Sequence, residues 1–299
     1  MFLIVLLQLT LASSFIVSKS LLAFVPPFLL VGLRMTTGGA ILLLYTALFN
    51  RSAFYITKKN IIPLVTAAVF GIYITNGFES WGLKYTVAAK AYFIYNLGPF
   101  FAALLGYLFF SEKMTRNKWI GLFVGFCGFF PLIFNDLITQ HAFLNSLPEL
   151  ALLCSAAATV GGWISKKKLV YSQHYSVIMA NGVTMVCGGI GALVTAGLSE
   201  SFELGAIVTN PTFYILFSVN VLLTCIIGYN LYGWLLKSYS ATYTAFSGFL
   251  GTLFAGLLGF VFLGETLTWA FWAAFIIVAF GVAIFHQEEK KGNEEFAKE

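Results

Sequence analysis

The chain has 299 residues, of which 59% are hydrophobic and 10% charged, with a net charge of +5 and a mean hydropathy of +0.88. Soluble domains carry roughly 25% charged residues, so the composition excludes a soluble protein and predicts an all-helical integral membrane protein. Little sequence lies outside the long apolar stretches, which leaves no room for a separate soluble catalytic domain.

The apolar stretches predict ten transmembrane helices, because a span needs about 17–25 residues and its backbone must satisfy itself in lipid. In chain order they cover residues 2–21, 27–49, 61–83, 86–110, 117–135, 147–165, 176–198, 211–236, 241–263 and 268–285. The first stretch lacks the basic start and the cleavage site of a signal peptide. We therefore expect it to be a helix of the mature protein.

Basic residues are distributed unevenly between the two sides of this ten-helix arrangement. With the N-terminus inside, thirteen lysines and arginines lie on the cytoplasmic side, including Lys166 to Lys168, and the outer side has only Lys19, Lys84 and Lys90. The positive-inside rule then places both termini in the cytoplasm. The tail, 287–299, mixes Glu and Lys without apolar periodicity, and we expect it to be disordered.

Residues 81–128 repeat at 234–281 without a gap, an offset of 153 (234 − 81), with 17 of the 48 aligned positions identical. Trp81, Glu112 and Trp119 meet Trp234, Glu265 and Trp272. Such self-similarity is typical of a duplicated membrane protein. We predict a first repeat over 1–135, an outer connecting loop over 136–146 and a second repeat over 147–286.

Each repeat holds five predicted helices, and an odd number turns the second copy upside down in the membrane. The charges agree with this inversion. The junction from Glu112 to Lys118 is basic and predicted inside, whereas its copy from Glu265 to Phe271 has no basic residue and is predicted outside. Two inverted copies can exchange conformations, which is the physical basis of alternating access, although channels also use inverted repeats.

The ten-helix duplication, with its Glu-x-x-Thr junction after the fourth helix of each half, resembles the drug/metabolite transporter superfamily, and in particular its EamA-type exporters. Ser18-Lys19 at the end of the first helix, Arg34 after Pro27, and Gly98-Pro99 carry the same resemblance. It covers about residues 2–285 and implies a transporter, not an enzyme, in the bacterial cytoplasmic (inner) membrane. Ser111 and Ser13-Ser14-Phe15 depart from the pattern of many relatives.

Three ionisable residues are predicted inside spans, Arg34, Glu79 and Lys90, all in the outer half at similar depth. A charge in hydrocarbon costs a few kcal/mol unless it is paired or faces water. One interpretation is a structural ion pair with a snorkelling lysine. The other is a vestibule that binds a charged substrate or a proton, with Glu79 as the proton carrier and Arg34 as a structural charge.

Helices 3, 4, 8 and 9 place polar and aromatic side chains at matched depths in the two halves. We predict that they line a central cavity, although any single tyrosine also fits an interfacial aromatic belt. The resemblance adds helices 1 and 6 to the walls of this cavity. The candidate substrate-binding residues are Ser14, Asn76, Glu79, Lys90, Asn96, Trp163, Tyr229, Tyr232 and Tyr243.

The predicted function is secondary active transport of a small polar metabolite, amino-acid-like, by alternating access. Proton-coupled export is what the resemblance implies most readily. An S-adenosylmethionine/S-adenosylhomocysteine exchanger, a passive channel and a membrane scaffold are the alternatives. The sequence shows no phosphate-binding loop, metal motif or catalytic triad, so we expect no cofactor, no metal and no nucleic-acid partner. The expected partners are a small-molecule substrate and membrane lipid.

Overall fold

A computed structural model describes residues 2–95, 97–98, 101, 115–128, 130–131, 147–172, 175–202, 210–235, 239, 244, 246, 247–264, 266 and 269–296. All regular structure in these residues is helical. This agrees with the expectation for a chain whose backbone groups have no water to bond in lipid.

The helices follow the apolar stretches of the sequence. They are α1 (Phe2–Leu21), α2 (Pro27–Phe49), α3 (Lys58–Tyr85), α4 (Ala88–Tyr95), α5 (Arg116–Cys127), α6 (Leu147–Val170), α7 (Val177–Ser199), α8 (Pro211–Leu235), α9 (Gly248–Leu263) and α10 (Trp269–Phe296). Pro27 and Pro211 occupy the first turns of α2 and α8, where a missing N–H leaves no helical hydrogen bond unmade. A short 3₁₀ turn, Arg51–Ala53, follows α2.

Six of these helices, α1, α2, α3, α6, α7 and α8, are long and apolar enough to cross a membrane within the described residues. The other predicted spans fall partly on residues outside the description. Of these, α9 and the apolar part of α10, Trp269–Phe285, are shorter apolar helices. The described chain is therefore a multi-pass helical membrane protein.

Two helices of the structure extend beyond the spans predicted from the sequence. The third helix begins at Lys58, so it is longer than the predicted span 61–83. The last helix continues to Phe296, whereas we expected the tail from Gln287 to be disordered. Glu, Lys and Gln are good helix formers, and extending an existing helix avoids the cost of nucleation. The Asn117 amide also donates to Glu288 Oε2 at 3.0 Å.

Helices α3 and α8 each contain a π-helical segment, Val69–Ile74 and Leu222–Gly228. The segments begin 153 residues apart (222 − 69), the offset of the sequence repeat. In each, an asparagine satisfies the carbonyls that the wide turn leaves open. Asn76 Nδ2 donates to Ile72 O at 2.9 Å and Asn230 Nδ2 to Ile226 O at 2.9 Å.

Glycines allow the closest helix contacts, as is common where lipid supplies no hydrophobic drive for association. A Cβ on Gly162 of α6 would lie 2.8 Å from the backbone nitrogen of Gly71 in α3. A Cβ on Gly39 of α2 would lie 2.9 Å from the Gly182 carbonyl of α7. The helix pairs α2–α7 and α3–α6 are therefore in backbone contact.

The main helix pairs of the described chain correspond when the two halves are exchanged. Helix α1 packs on α8 and α9, and its counterpart α6 packs on α3 and α4. The pairs α2–α7 and α5–α10 each join a helix to its own counterpart. The contacts between the halves thus have the pairing expected of two related units.

Candidate functional site

A central cavity lies between helices of both halves. It is lined by residues of α1, α2, α3, α4, α6, α8 and α9, and its empty space, including the part open to solvent, is about 1000 Å³. Among the described residues, the charged side chains on its wall are Arg34, Glu79 and Lys166, and the aromatic ones are Phe15, Tyr92, Tyr95, Trp163, Tyr229 and Tyr232. Such a mixture of apolar walls and a few polar groups is typical of a small-molecule site.

Arg34 forms a buried polar network that joins four helices. Its Nη1 donates to Ser18 Oγ at 2.9 Å and to Asn220 Oδ1 at 3.2 Å, and its Nη2 donates to Asn76 Oδ1 at 3.0 Å. Its Nε has no hydrogen-bond partner within the described part of the chain. The guanidinium is therefore held beside the cavity by neutral oxygens from α1, α3 and α8.

Glu79, Arg34 and Lys90 do not form one ionic cluster. Lys90 Nζ lies 2.7 Å from Glu149 Oε1, so this pair ties α4 to α6. Glu79 lies on the cavity wall, half-buried, and makes no ion pair within 4.0 Å in the described residues. Arg34 lines the same cavity and makes no ion pair with Glu79 within 4.0 Å. The carboxylate of Glu79 is thus open to a ligand in the cavity.

Aromatic rings form two of the cavity walls. Trp163 of α6 and Tyr232 of α8 are stacked, with ring centroids 5.0 Å apart and planes at 29°. Phe15 of α1 and Tyr92 of α4 meet edge to face at 4.8 Å. Aromatic rings can stack on a flat ligand and attract a cation to their faces.

Tyr229 connects the aromatic wall to the polar network. Its hydroxyl accepts a hydrogen bond from Asn76 Nδ2 at 3.0 Å, and Lys166 Nζ lies 4.7 Å from the centre of its ring. Asn76 therefore contacts Arg34, Tyr229 and the π-helical carbonyls of α3 at once. A single amide positions both the tyrosine and the arginine at the cavity.

Of the candidate residues predicted from the sequence, Ser14, Asn76, Glu79, Trp163, Tyr229 and Tyr232 line the cavity. Lys90 does not occur among the described lining residues and pairs with Glu149 instead. Asn96 and Tyr243 lie outside the described residues. Arg34, expected to be structural, both holds the network and faces the cavity.

Sequence reasoning missed Lys166, which we had counted among the cytoplasmic basic residues. The structure buries it to 5% exposure on the cavity wall. Gln8, Tyr92, Tyr95 and Thr159 were also missed. The available signal was a polar or aromatic residue within an apolar span, but many such residues only pack.

The described residues of the cavity offer groups that can bind a small ligand. Within the described chain there is no group of three or more His, Cys, Asp or Glu residues that could hold a metal ion. The cavity presents an anion, cations and stacked rings to a ligand that carries complementary groups. A polar cavity between two packed halves of a multi-pass helical protein defines a membrane transporter.

Comparisons with known proteins agree with this class. The model of the EamA-like transporter family matches residues 1–134 and 147–286. An S-adenosylmethionine/S-adenosylhomocysteine transporter of Chlamydia muridarum (strain MoPn / Nigg) is 31% identical over 94% of this chain and 90% of its own length. A probable amino-acid metabolite efflux pump of Salmonella typhimurium is 25% identical over 91% of this chain and 89% of that protein.

One solved crystal structure shares the fold, with a TM-score of 0.71 at 17% identity, over 97% of this chain and 96% of that one. At this identity the likeness shows the fold alone. The family match extends over nearly the whole chain. The chain belongs to the EamA-like transporter family.

Proposed function

We propose that this protein exchanges S-adenosylmethionine for S-adenosylhomocysteine across the bacterial inner membrane by alternating access. One feature of the cavity carries the proposal: stacked aromatic rings and an open carboxylate lie together between the two halves of the chain. An adenine ring stacks on aromatic faces, and a sulfonium is attracted by a carboxylate and by the negative faces of tyrosine rings.

The halves are two inverted five-helix repeats, over residues 1–135 and 147–286, in a ten-helix protein with both termini in the cytoplasm. Three observations support this arrangement. The π-helical segments begin at repeat-related positions, the main helix pairs correspond when the halves are exchanged, and the family model matches twice. In such a protein the cavity at the repeat interface opens alternately to the two sides.

Stacking supplies the main binding energy for the adenine in this proposal. Base–aromatic stacking contributes about 1–3 kcal/mol per base, and Trp163 and Tyr232 form the stacked pair. Two chlamydial relatives named S-adenosylmethionine/S-adenosylhomocysteine transporters are 31% and 30% identical to this chain. The probable amino-acid metabolite efflux pump is 25% identical. Proton-coupled export of an amino acid, with Glu79 as proton carrier, uses the same carboxylate but not the aromatic stack.

Counterflow in proteoliposomes tests the exchange. Vesicles containing the full chain are loaded with S-adenosylhomocysteine, S-adenosylmethionine, adenosine or single amino acids, and labelled S-adenosylmethionine is added outside. We expect saturable uptake stimulated by the two adenosyl amino acids inside and not by free amino acids.

Two results would contradict the proposal. If labelled S-adenosylmethionine shows no stimulated uptake, and a labelled amino acid in the same assay is taken up faster when that amino acid is inside, the protein is assigned to amino-acid export. Passive leak of several compounds without trans-stimulation assigns it to the channels.

A further inference from the structure

Lys166 is a buried lysine on the cavity wall. The proposed function assigns ligand contacts to the aromatic rings and to Glu79, but none to Lys166. It lies in the last turn of the α-helical part of α6, Leu147–Lys167, and is 5% exposed. Its Nζ contacts the face of the Tyr229 ring at 4.7 Å, and it makes no hydrogen bond or ion pair in the described residues. A charge at such a place is costly unless a partner of opposite charge reaches it.

The counterpart of Lys166 in the first half is satisfied by the protein itself. Ser18-Lys19 ends α1 as Ser165-Lys166 ends the α-helical part of α6. Lys19 Nζ donates to the Leu83 carbonyl at 2.9 Å and to the Thr86 carbonyl at the end of α3. The duplicated lysine therefore has carbonyl acceptors in one half and faces the cavity in the other.

Glu79 and Lys166 line the same cavity, yet they do not pair with each other within 4.0 Å. Asn76 lies three residues before Glu79 and bonds to Tyr229, whose ring carries Lys166. Two opposite charges held apart in this way suit a ligand whose own opposite charges are also apart. In S-adenosylmethionine the carboxylate and the sulfonium are separated by a short carbon chain.

We infer that Lys166 binds the carboxylate of the amino-acid end of the substrate while Glu79 faces the sulfonium. This inference rests on the proposed function and adds a basis for selectivity. Adenosine compounds without a carboxylate leave Lys166 buried and unpaired, so the cavity rejects them. The site thus recognises an adenosine that carries an intact amino acid.

Ligands that differ only in the carboxylate test the inference. We would measure equilibrium binding of S-adenosylmethionine and of decarboxylated S-adenosylmethionine to the full chain in lipid nanodiscs. The wild-type protein should bind the first more tightly. Lys166→Met should weaken binding of S-adenosylmethionine by about 10- to 100-fold, as expected for a lost charged hydrogen bond, and leave the decarboxylated ligand nearly unchanged.

Lys168→Met is the matched control, because Lys168 follows on the same helix but is exposed and does not line the cavity. It should bind both ligands as the wild type does. Lys166→Arg should retain part of the selectivity, because it keeps the charge.

Equal affinity of the wild type for the two ligands overturns the inference, even where Lys166→Met fails to fold. Equal loss of both ligands in a folded Lys166→Met protein assigns Lys166 a structural role. Absence of both binding and counterflow of S-adenosylmethionine in the wild type overturns the proposed function instead.

Discussion

Glu79 and Trp163 present different chemistry to the same ligand, and their roles separate at the level of single residues. The carboxylate of Glu79 is half-buried and open to the cavity, and the indole of Trp163 is stacked on Tyr232. The carboxylate would attract a positive charge of the ligand, and the indole would stack on its flat ring. Ligands that differ in only one of these properties therefore distinguish the two residues.

Replacing the carboxylate of Glu79 should affect the charged ligand more than the neutral one. We expect Glu79→Gln to weaken S-adenosylmethionine binding by about 10- to 100-fold, because a charged interaction with the sulfonium is lost. S-adenosylhomocysteine, a neutral thioether, should lose less than about threefold, whereas a charged hydrogen bond to its ammonium would cost far more. Competition binding measures both, with Glu79→Asp as the charge-preserving control.

Equal weakening of both ligands would mean that Glu79 binds the ammonium group they share. Normal binding of both would remove Glu79 from the site.

Trp163→Leu should weaken every ligand that contains adenine, because it removes one ring of the stacked pair and keeps an apolar side chain. Stacking of about 1–3 kcal/mol corresponds to roughly a 5- to 150-fold loss of affinity. Trp234→Leu is the matched control, since Trp234 lies two residues after Tyr232 and is exposed on the outside of α8. Counterflow with both variants measures the effect.

A loss in both tryptophan variants would indicate a general effect on stability. No loss in either would indicate that the adenine lies elsewhere.

At the scale of helices, the contact of α3 with α6 sets which face of α6 turns to the cavity. Gly162 lies against the backbone of Gly71, and its neighbour Trp163 reaches the ligand space. At Gly161 an added Cβ would make an ordinary van der Waals contact, 3.7 Å from Phe70. Adjacent glycines of α6 therefore differ sharply in how closely they are packed.

Gly162→Ala should destabilise the protein and reduce transport, because its Cβ cannot fit without moving one helix. Overpacking of this kind costs about 1–3 kcal/mol. Gly161→Ala should leave both stability and transport close to the wild type. Thermal unfolding in detergent, followed with and without S-adenosylhomocysteine, measures the difference. Equal melting temperatures for the two variants would contradict the backbone contact.

The sequence predicted the six membrane-spanning helices that the structure describes, and six of its candidate residues line the cavity. The repeat indicated them by aligning polar residues such as Asn76 with aromatic ones such as Tyr229. It did not predict that Lys166 faces the cavity. A lysine at the end of a span fits a cytoplasmic loop equally well, and only the rotation of α6 against α3 decides between the two. The partner of Lys90, Glu149, is on another helix, so no local pattern indicated that pair.

At the scale of the whole molecule, the proposed exchange moves charge. S-adenosylmethionine carries one net positive charge and S-adenosylhomocysteine none at neutral pH, so one exchange cycle transfers one charge. A potential of 100 mV contributes about 2.3 kcal/mol per charge, which corresponds to roughly 50-fold in the exchange equilibrium. Transport should therefore respond to voltage.

Proteoliposomes with an imposed potassium diffusion potential test this expectation. With the interior about 100 mV negative, S-adenosylmethionine should accumulate against S-adenosylhomocysteine by up to roughly 50-fold. A pH gradient alone should have little effect. Accumulation driven by pH and not by voltage would instead place a proton in the cycle, as in the export that the family resemblance first suggested.

The π-helical segments give the two related helices an adjustable register. A π-helical hydrogen bond spans one residue more than an α-helical one, so a shift of the helix by that one residue would rotate the rest of it by about 100°. In α3 that rotation would carry Glu79 away from the cavity, and in α8 it would do the same to Tyr232. Asn76 and Asn230 hold the segments wide by binding their carbonyls. Which side chains meet the ligand therefore depends on backbone hydrogen bonding one turn below them.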